Sequence, residues 1–163
     1  MLAGHTHGAQ FGLTILGRTY SPAQWIYEEW AGLYQKDGHR FTLIGVQNWG
    51  TRFQQYGNLA KAVAGTDASS FRLLMSHDPT HWDAQVRATG IDLMLAGHTH
   101  GAQFGLTILG RTYSPAQWIY EEWAGLYQKD GLQLYVNRGF GFLGFLGRVG
   151  MPPEITVLEL HSA

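Results

Sequence analysis

The stretch MLAGHTHGAQFGL, residues 94–106, joins a short apolar run to two histidines two positions apart, with a glycine on either side of the pair. Preceded by Ile91-Asp92-Leu93, it reads as a buried strand over 91–96 that ends in a glycine-flanked loop. On extended backbone His98 and His100 point to one side, so both imidazoles reach one metal centre or two neighbouring ones. Alone, a His-x-His is more often a polar turn than a ligand pair. The strand before it and a third histidine upstream reverse that preference.

Upstream, Phe71 to Met75 is another apolar run, and it ends in Ser76-His77-Asp78-Pro79, where proline stops strand pairing. Between the two runs, 80–88 is a helix candidate with Thr80 as N-cap and Trp82, Val86 and Ala88 facing inward. Further back, 41–46 reads as a buried strand, and 58–64 as a short helix capped by Asn58 that presents Leu59, Ala62 and Val63. Strand, helix, strand, helix, strand is an α/β layered pattern, in which functional groups gather at the carboxyl ends of strands. His77, His98 and His100 all stand at such ends. Downstream, 118–127 is aromatic and mixed in period and carries no assignment, 132–136 is a strand candidate, and 152–160 alternates apolar and polar residues as a half-exposed strand does.

The opening stretch occurs twice. Residues 1–38 repeat residues 94–131 letter for letter, and the copies part at His39 and Leu132. Solenoid repeats diverge at the surface and need about three or more units, so two perfect copies are a duplication rather than an architecture. One strand slot cannot hold two identical segments. The chain therefore divides into 1–38, a duplicate expected to pack loosely or to mispair, and 39–163, a unit of its own.

With a net charge of −1 and 45% apolar residues the chain is composed like an ordinary soluble domain, and no apolar run approaches the ~18 residues of a membrane span. No basic cluster draws it to nucleic acid or to an anionic membrane. The absence of cysteine excludes disulfides, thiolate metal sites and a thiol nucleophile. Three neutral imidazoles suit Zn, Fe, Mn or Ni. His39 and His81 read as surface groups, Asp78 as a turn residue or an acceptor that orients a histidine, and Trp118, Tyr120, Trp123 and Tyr127 as packing beneath a long loop.

The ordered set Phe71-Arg-Leu-Leu-Met-Ser-His77-Asp-Pro79, Ile91-Asp-Leu-Met-Leu-Ala-Gly-His98-Thr-His100-Gly-Ala-Gln103 and Pro152-Pro-Glu-Ile-Thr-Val-Leu-Glu-Leu160 resembles the C-terminal half of the calcineurin-like metallophosphoesterases. The likeness is nearest to a membrane-anchored bacterial branch with similar Trp-Ala-Gly-Leu-Tyr and Tyr-Val-Asn-Arg-Gly-Phe-Gly stretches. It implies part of an αββα sandwich with mixed sheets and two divalent metal ions. His77 and His98 would ligate the second ion and His100 the first, with a metal-bound hydroxide attacking the phosphorus of a small phosphoester substrate. Asn137 and Arg138 become candidate substrate contacts. His5 and His7 are the duplicate metal candidates, standing ahead of strand 41–46 where the family keeps an Asp-x-His. That motif, a Gly-Asp-x-x-Asp and a Gly-Asn-His are all expected to be missing, so the family activity is impaired in this chain alone. The alternative is a non-catalytic module that binds a divalent metal.

Overall fold

A computed structural model describes residues 13–15, 18–20, 30–36 and 38–161. The central sheet has six strands: β3 (Trp30–Lys36), β4 (His39–Gly45), β5 (Phe71–Met75), β6 (Leu93–Ala96), β10 (Leu132–Val136) and β9 (Gly125–Lys129), in that spatial order. The inner four run parallel, and the edge strands β3 and β9 run antiparallel to their neighbours. Four hairpin strands lie outside this sheet in pairs, β1 (Leu13–Ile15) with β2 (Arg18–Tyr20) and β7 (Leu106–Ile108) with β8 (Arg111–Tyr113), each strand three residues long. The fold class is α/β with a mixed sheet and few helices, consistent with a partial domain of the kind the resemblance implies.

Because parallel strands are buried on both faces, successive residues of β4, β5 and β6 enter different cores. Ile44, Leu74, Met94 and Leu134 face α1 (Leu59–Val63), Trp82 and Val86. Leu43, Leu73, Leu93 and Leu95 face the opposite way, where Tyr34, Phe41, Tyr135 and Leu158 cover them. The helices α1 and α2 (His81–Ala84) both occupy the first face, as right-handed crossovers between neighbouring parallel strands require. Asn58 caps α1 as expected, its Oδ1 accepting from Lys61 N at 2.9 Å.

Three expectations need correction. The helix over 80–88 is interrupted: α2 ends at Gln85, whose φ of −140° is not helical, and a 3₁₀ turn over Val86–Thr89 continues it. Trp82 and Val86 are buried as expected, but Ala88 is exposed. Thr80 is not the side-chain cap either. Its own N–H and hydroxyl both donate to Asp78 Oδ1, at 2.8 and 2.7 Å, because Pro79 turns the chain back over that carboxylate. Second, 152–160 is extended and keeps its period of two, yet it joins no ladder among the described residues. Glu154 and Thr156 face inward to Tyr135, Asn137 and Arg138, while Ile155 and Val157 stand in solvent. Its alternation reports side-chain burial, and a strand also needs a backbone partner.

Third, His81 is not a surface group. It is fully buried, with Nδ1 2.8 Å from Ser76 Oγ, Nε2 3.0 Å from Gln85 Oε1, and its ring stacked on Trp49 at 4.7 Å. Loss of hydration drives its pKa down from 6.5 to about 4, against the opposing pull of Gln85 and of the Asp78 charge. His39, in contrast, is exposed as expected.

Where both copies are described, the repeated sequence pairs its strands in the same way twice. Lys129-Asp130-Gly131-Leu132 turns β9 into β10 with φ of +52° and +80° at Asp130 and Gly131, the left-handed pair of a tight hairpin. The corresponding letters turn β3 into β4, with Lys36 opposite His39. The hairpins β1–β2 and β7–β8 share their register as well.

Truncating a sheet residue packed by helices leaves a cavity, so Ile44→Ala is expected to cost about 2–5 kcal/mol in urea unfolding, whereas Leu33→Ala, on the exposed side of β3, changes it by less than about 0.5 kcal/mol. His81 sets a pH dependence. Its folded pKa lies below the unfolded one, so its contribution is complete above pH 6.5 and declines as the pH falls toward about 4. Unfolding free energies measured across that window should fall with acid, and His81→Gln should flatten the slope.

Candidate metal centre

Both key histidines sit where parallel strands end. The β5–β6 pairing continues past the strands, with Ser76 N donating to Leu95 O and Gly97 N to His77 O, each at 3.1 Å. This brings the two rings edge to face at 4.7 Å, with His98 Nδ1 2.8 Å from His77 Nε2. One imidazole of such a pair donates and the other accepts. Two nitrogens bound at ~2.0–2.1 Å to one ion stand about 2.9 Å apart at a right angle and about 3.3 Å apart in a tetrahedron. The observed spacing therefore fits two adjacent ligands of one divalent ion.

The surroundings orient this pair. His98 Nε2 lies 2.9 Å from the Tyr120 hydroxyl, and Phe53 meets the His98 ring edge-on at 4.8 Å. Tyr120 is buried, which together with the Asp78 charge raises its pKa, so it stays a neutral phenol whose oxygen can accept from His98 Nε2–H. Asp78 is also fully buried. While Oδ1 is held by Thr80, Oδ2 has no hydrogen bond among the described residues and stands 3.9 Å from His98 Nε2, beyond hydrogen-bonding distance. A buried carboxylate oxygen without a donor favours a cation beside it. Gly50 makes room for it, since a Cβ there would come within 2.3 Å of that oxygen.

The turn after β6 departs from the extended geometry expected for His98 and His100. His98, His100, Ala102 and Gln103 all have φ between +50° and +64°, with Thr99 helical between the histidines. Side chains hold these strained residues in place: Thr99 Oγ1 donates to Trp123 O, Ser114 Oγ donates to Gly101 O, and Arg148 donates to His100 O. His100 is buried, and the three histidines do not gather their ligand atoms into one coordination sphere. Among the described residues only Asp83, Glu121 and Glu122 do so. Lys129 already sits among those carboxylates, 2.7 Å from Asp83 and 2.5 Å from Glu122, and supplies the compensating charge.

Asn137 and Arg138 are near the same edge, but their polar groups hold the tail segment: Asn137 Nδ2 donates to Thr156, and Arg138 pairs with Glu154 at 2.7 Å. His5 and His7 lie outside the described residues. Contrary to the expectation that no Asp-x-His is present, Asp37-Gly38-His39 has that spacing. It falls between β3 and β4, and His39 opens β4 at its amino end, opposite to the carboxyl ends that carry His77 and His98. Tyr120 is buried, as its reading as a packing residue expects, but its contact with His98 has no signal in the sequence, since it sits in an aperiodic aromatic stretch 22 residues beyond that partner. Trp118, read as packing too, is instead 79% exposed.

Over 95 residues, 56% of this chain, the sequence is 39% identical to an uncharacterized metallophosphoesterase, YkuE, of Bacillus subtilis, and covers 32% of it. It is 35% identical to the phosphodiesterase YaeI of Escherichia coli over 61% of the chain and 36% of that protein. Over 81% of the chain it is 30% identical to a transmembrane protein with a metallophosphoesterase domain from Bos taurus, covering 30% of it. The chain thus spans about a third of the length of these curated relatives. No helix among the described residues is long and apolar enough to cross a membrane. No family model and no solved structure matches the chain. Identities of 30–39% to several such proteins, joined to a mixed α/β sheet with histidines at its carboxyl edge, support the metallophosphoesterase family for this chain.

Proposed function

We propose that residues 39–163 are the metal-holding C-terminal half of a phosphoester hydrolase domain, that residues 1–38 are a mispaired duplicate whose strand β3 edges the same sheet, and that hydrolysis needs carboxylate and acid groups beyond those this chain brings. The observation that carries this reading is the His77–His98 pair, 2.8 Å apart beside Asp78 Oδ2, which has no donor among the described residues. When bound, a pair of divalent ions polarises a phosphoryl oxygen and activates water for in-line attack. The chain's own residues fix the approach: His77 and His98 offer nitrogen ligands, and Tyr120 sets the tautomer of His98 by accepting from Nε2–H, which leaves Nδ1 unprotonated as the ligand atom. His100, two positions on in the same strained turn, is left for a second ion. Asn137 and Arg138 are structural before they are substrate contacts, because Glu154 and Thr156 engage them. The substrate is a small phosphoester.

A non-catalytic metal-binding module shares every one of these residues and differs only in turnover. Two measurements separate the readings. Mn²⁺ or Zn²⁺ at about a hundred times its dissociation constant should raise the melting temperature by roughly 5–10 °C, and His77→Ala or His98→Ala should abolish the rise. Hydrolysis of an activated aryl phosphate should stay at background in this chain. Metal-dependent turnover lost in His100→Ala would instead assign it a complete site, and failure of Mn²⁺, Zn²⁺, Fe²⁺ and Ni²⁺ alike to raise the melting temperature would remove the metal reading.

A further inference from the structure

A carboxylate oxygen buried without a donor is costly, and a fold keeps one only where its charge is used. Asp78 Oδ2 is such an atom, and its surroundings hold it in place. The Thr80 N–H and hydroxyl both donate to Oδ1, and the missing Cβ of Gly50 leaves room for Oδ2 beside it. Among the described residues no lysine or arginine pairs with Asp78, and its ion-pair contact is His98 Nε2 at 3.9 Å. His81 also feels the Asp78 charge, but burial holds that imidazole neutral, its pKa lowered to about 4, so it supplies no balancing charge.

The two nitrogens of His98 face different partners. Nδ1 lies 2.8 Å from His77 Nε2, and Nε2 lies 2.9 Å from the Tyr120 hydroxyl. A neutral imidazole carries one proton, and a phenol can either donate or accept, so the Tyr120 contact by itself fits both tautomers of His98. The carboxylate separates them. With Asp78 fully buried, a negative charge 3.9 Å from Nε2 favours the proton on that nitrogen, which makes Tyr120 the acceptor and leaves the lone pair of Nδ1 toward His77. An ion on Nδ1 and a carboxylate beside Nε2 lie on different sides of one ring, so Asp78 is not a ligand of that ion. Its charge still acts on the bond. A cation on Nδ1 makes the ring positive and Nε2–H more acidic, and a nearby anion stabilises both changes.

We propose that Asp78 is a positioning residue of the candidate centre: its charge fixes the proton of His98 on Nε2, presents Nδ1 to a divalent ion and strengthens the bond to it. The strengthening rests on the ligand role proposed for His98, whereas the choice of tautomer does not.

Asp78→Asn tests both parts. Asparagine keeps the Oδ1 that Thr80 uses but sets an N–H beside His98 Nε2 in place of a carboxylate oxygen. Long-range proton–nitrogen correlation spectra recorded before metal is added should show the parent His98 protonated on Nε2, and in Asp78→Asn the proton should shift toward Nδ1. Calorimetric titration with Zn²⁺ should give binding weaker by about tenfold or more in the variant. The melting temperature without metal should not fall, because the variant removes a buried charge that has no donor. A proton on Nδ1 in the parent chain would overturn the proposal without any variant. So would an unmoved proton in Asp78→Asn, which assigns the tautomer to Tyr120 alone, and a lower melting temperature alongside it reduces Asp78 to a structural turn residue. If the proton moves but Zn²⁺ affinity does not, the strengthening role fails. Zn²⁺ binding to neither protein would remove the metal-holding reading and the strengthening with it, while the proton position still decides the choice of tautomer.

Discussion

The hydrogen-bond ladder between β5 and β6 does not stop where the strands do, and the candidate centre depends on that continuation. The bonds from Ser76 to Leu95 and from Gly97 to His77 hold the residues after each strand at a fixed relative height. A residue in a parallel strand advances ~3.3 Å, so a slip of one position would separate His77 from His98 by more than their present spacing and would also send Leu73 and Leu74 into each other's core. The register that buries apolar side chains on both faces of the sheet is thus the register that aligns the two imidazoles. Neither could be changed without the other.

How far the sequence reveals this arrangement depends on whether the signal is local. The strand at 71–75, the strand ending at Ala96 and the capped helix after Asn58 are legible because each carries its own apolar period and its own terminator. The β7–β8 hairpin is not, since its three-residue strands are too short for a period and its Leu-Gly turn lacks the usual marker. The burial of His81 is illegible for a different reason. Its burial follows from Ser76, Gln85 and Trp49, which approach from three separate segments, and nothing in its immediate neighbours announces a buried polar network. Tyr120 belongs to the same class: its role exists only once the chain has folded back onto His98.

The duplicated letters separate local from nonlocal encoding within one molecule. Both copies of Gln-Lys-Asp-Gly lead an antiparallel edge strand into a parallel inner strand, although the inner strands, β4 and β10, differ in sequence. The hairpin is therefore written in the turn and the strand before it. By contrast, the histidine pair needs Ile91-Asp92-Leu93 ahead of the strand and β5 beside it, which only the second copy has in sequence. Repeating the letters repeats the hairpin, whereas the centre also draws on neighbours that the repeated letters do not carry.

The distribution of backbone strain argues for where the function lies. Of the non-glycine residues described with positive φ, His98, His100, Ala102 and Gln103 fall within six consecutive positions, and Leu109 follows shortly after. Each costs about 1 kcal/mol or more relative to ordinary backbone. Asp130 is the remaining one, in a turn where aspartate is expected. A fold minimising its own energy would place glycine or asparagine at such positions, as it does at the β9–β10 turn. The strained run instead carries two imidazoles at one end and, through Gln103, the clamp on the loop of Phe145 and Gly147 at the other. Thr99, Ser114 and Arg148 each commit a side chain to keeping that run in place. The conformation is overdetermined by groups that contribute little apolar burial, and this is the pattern of a segment shaped by what it must present rather than by what it packs against.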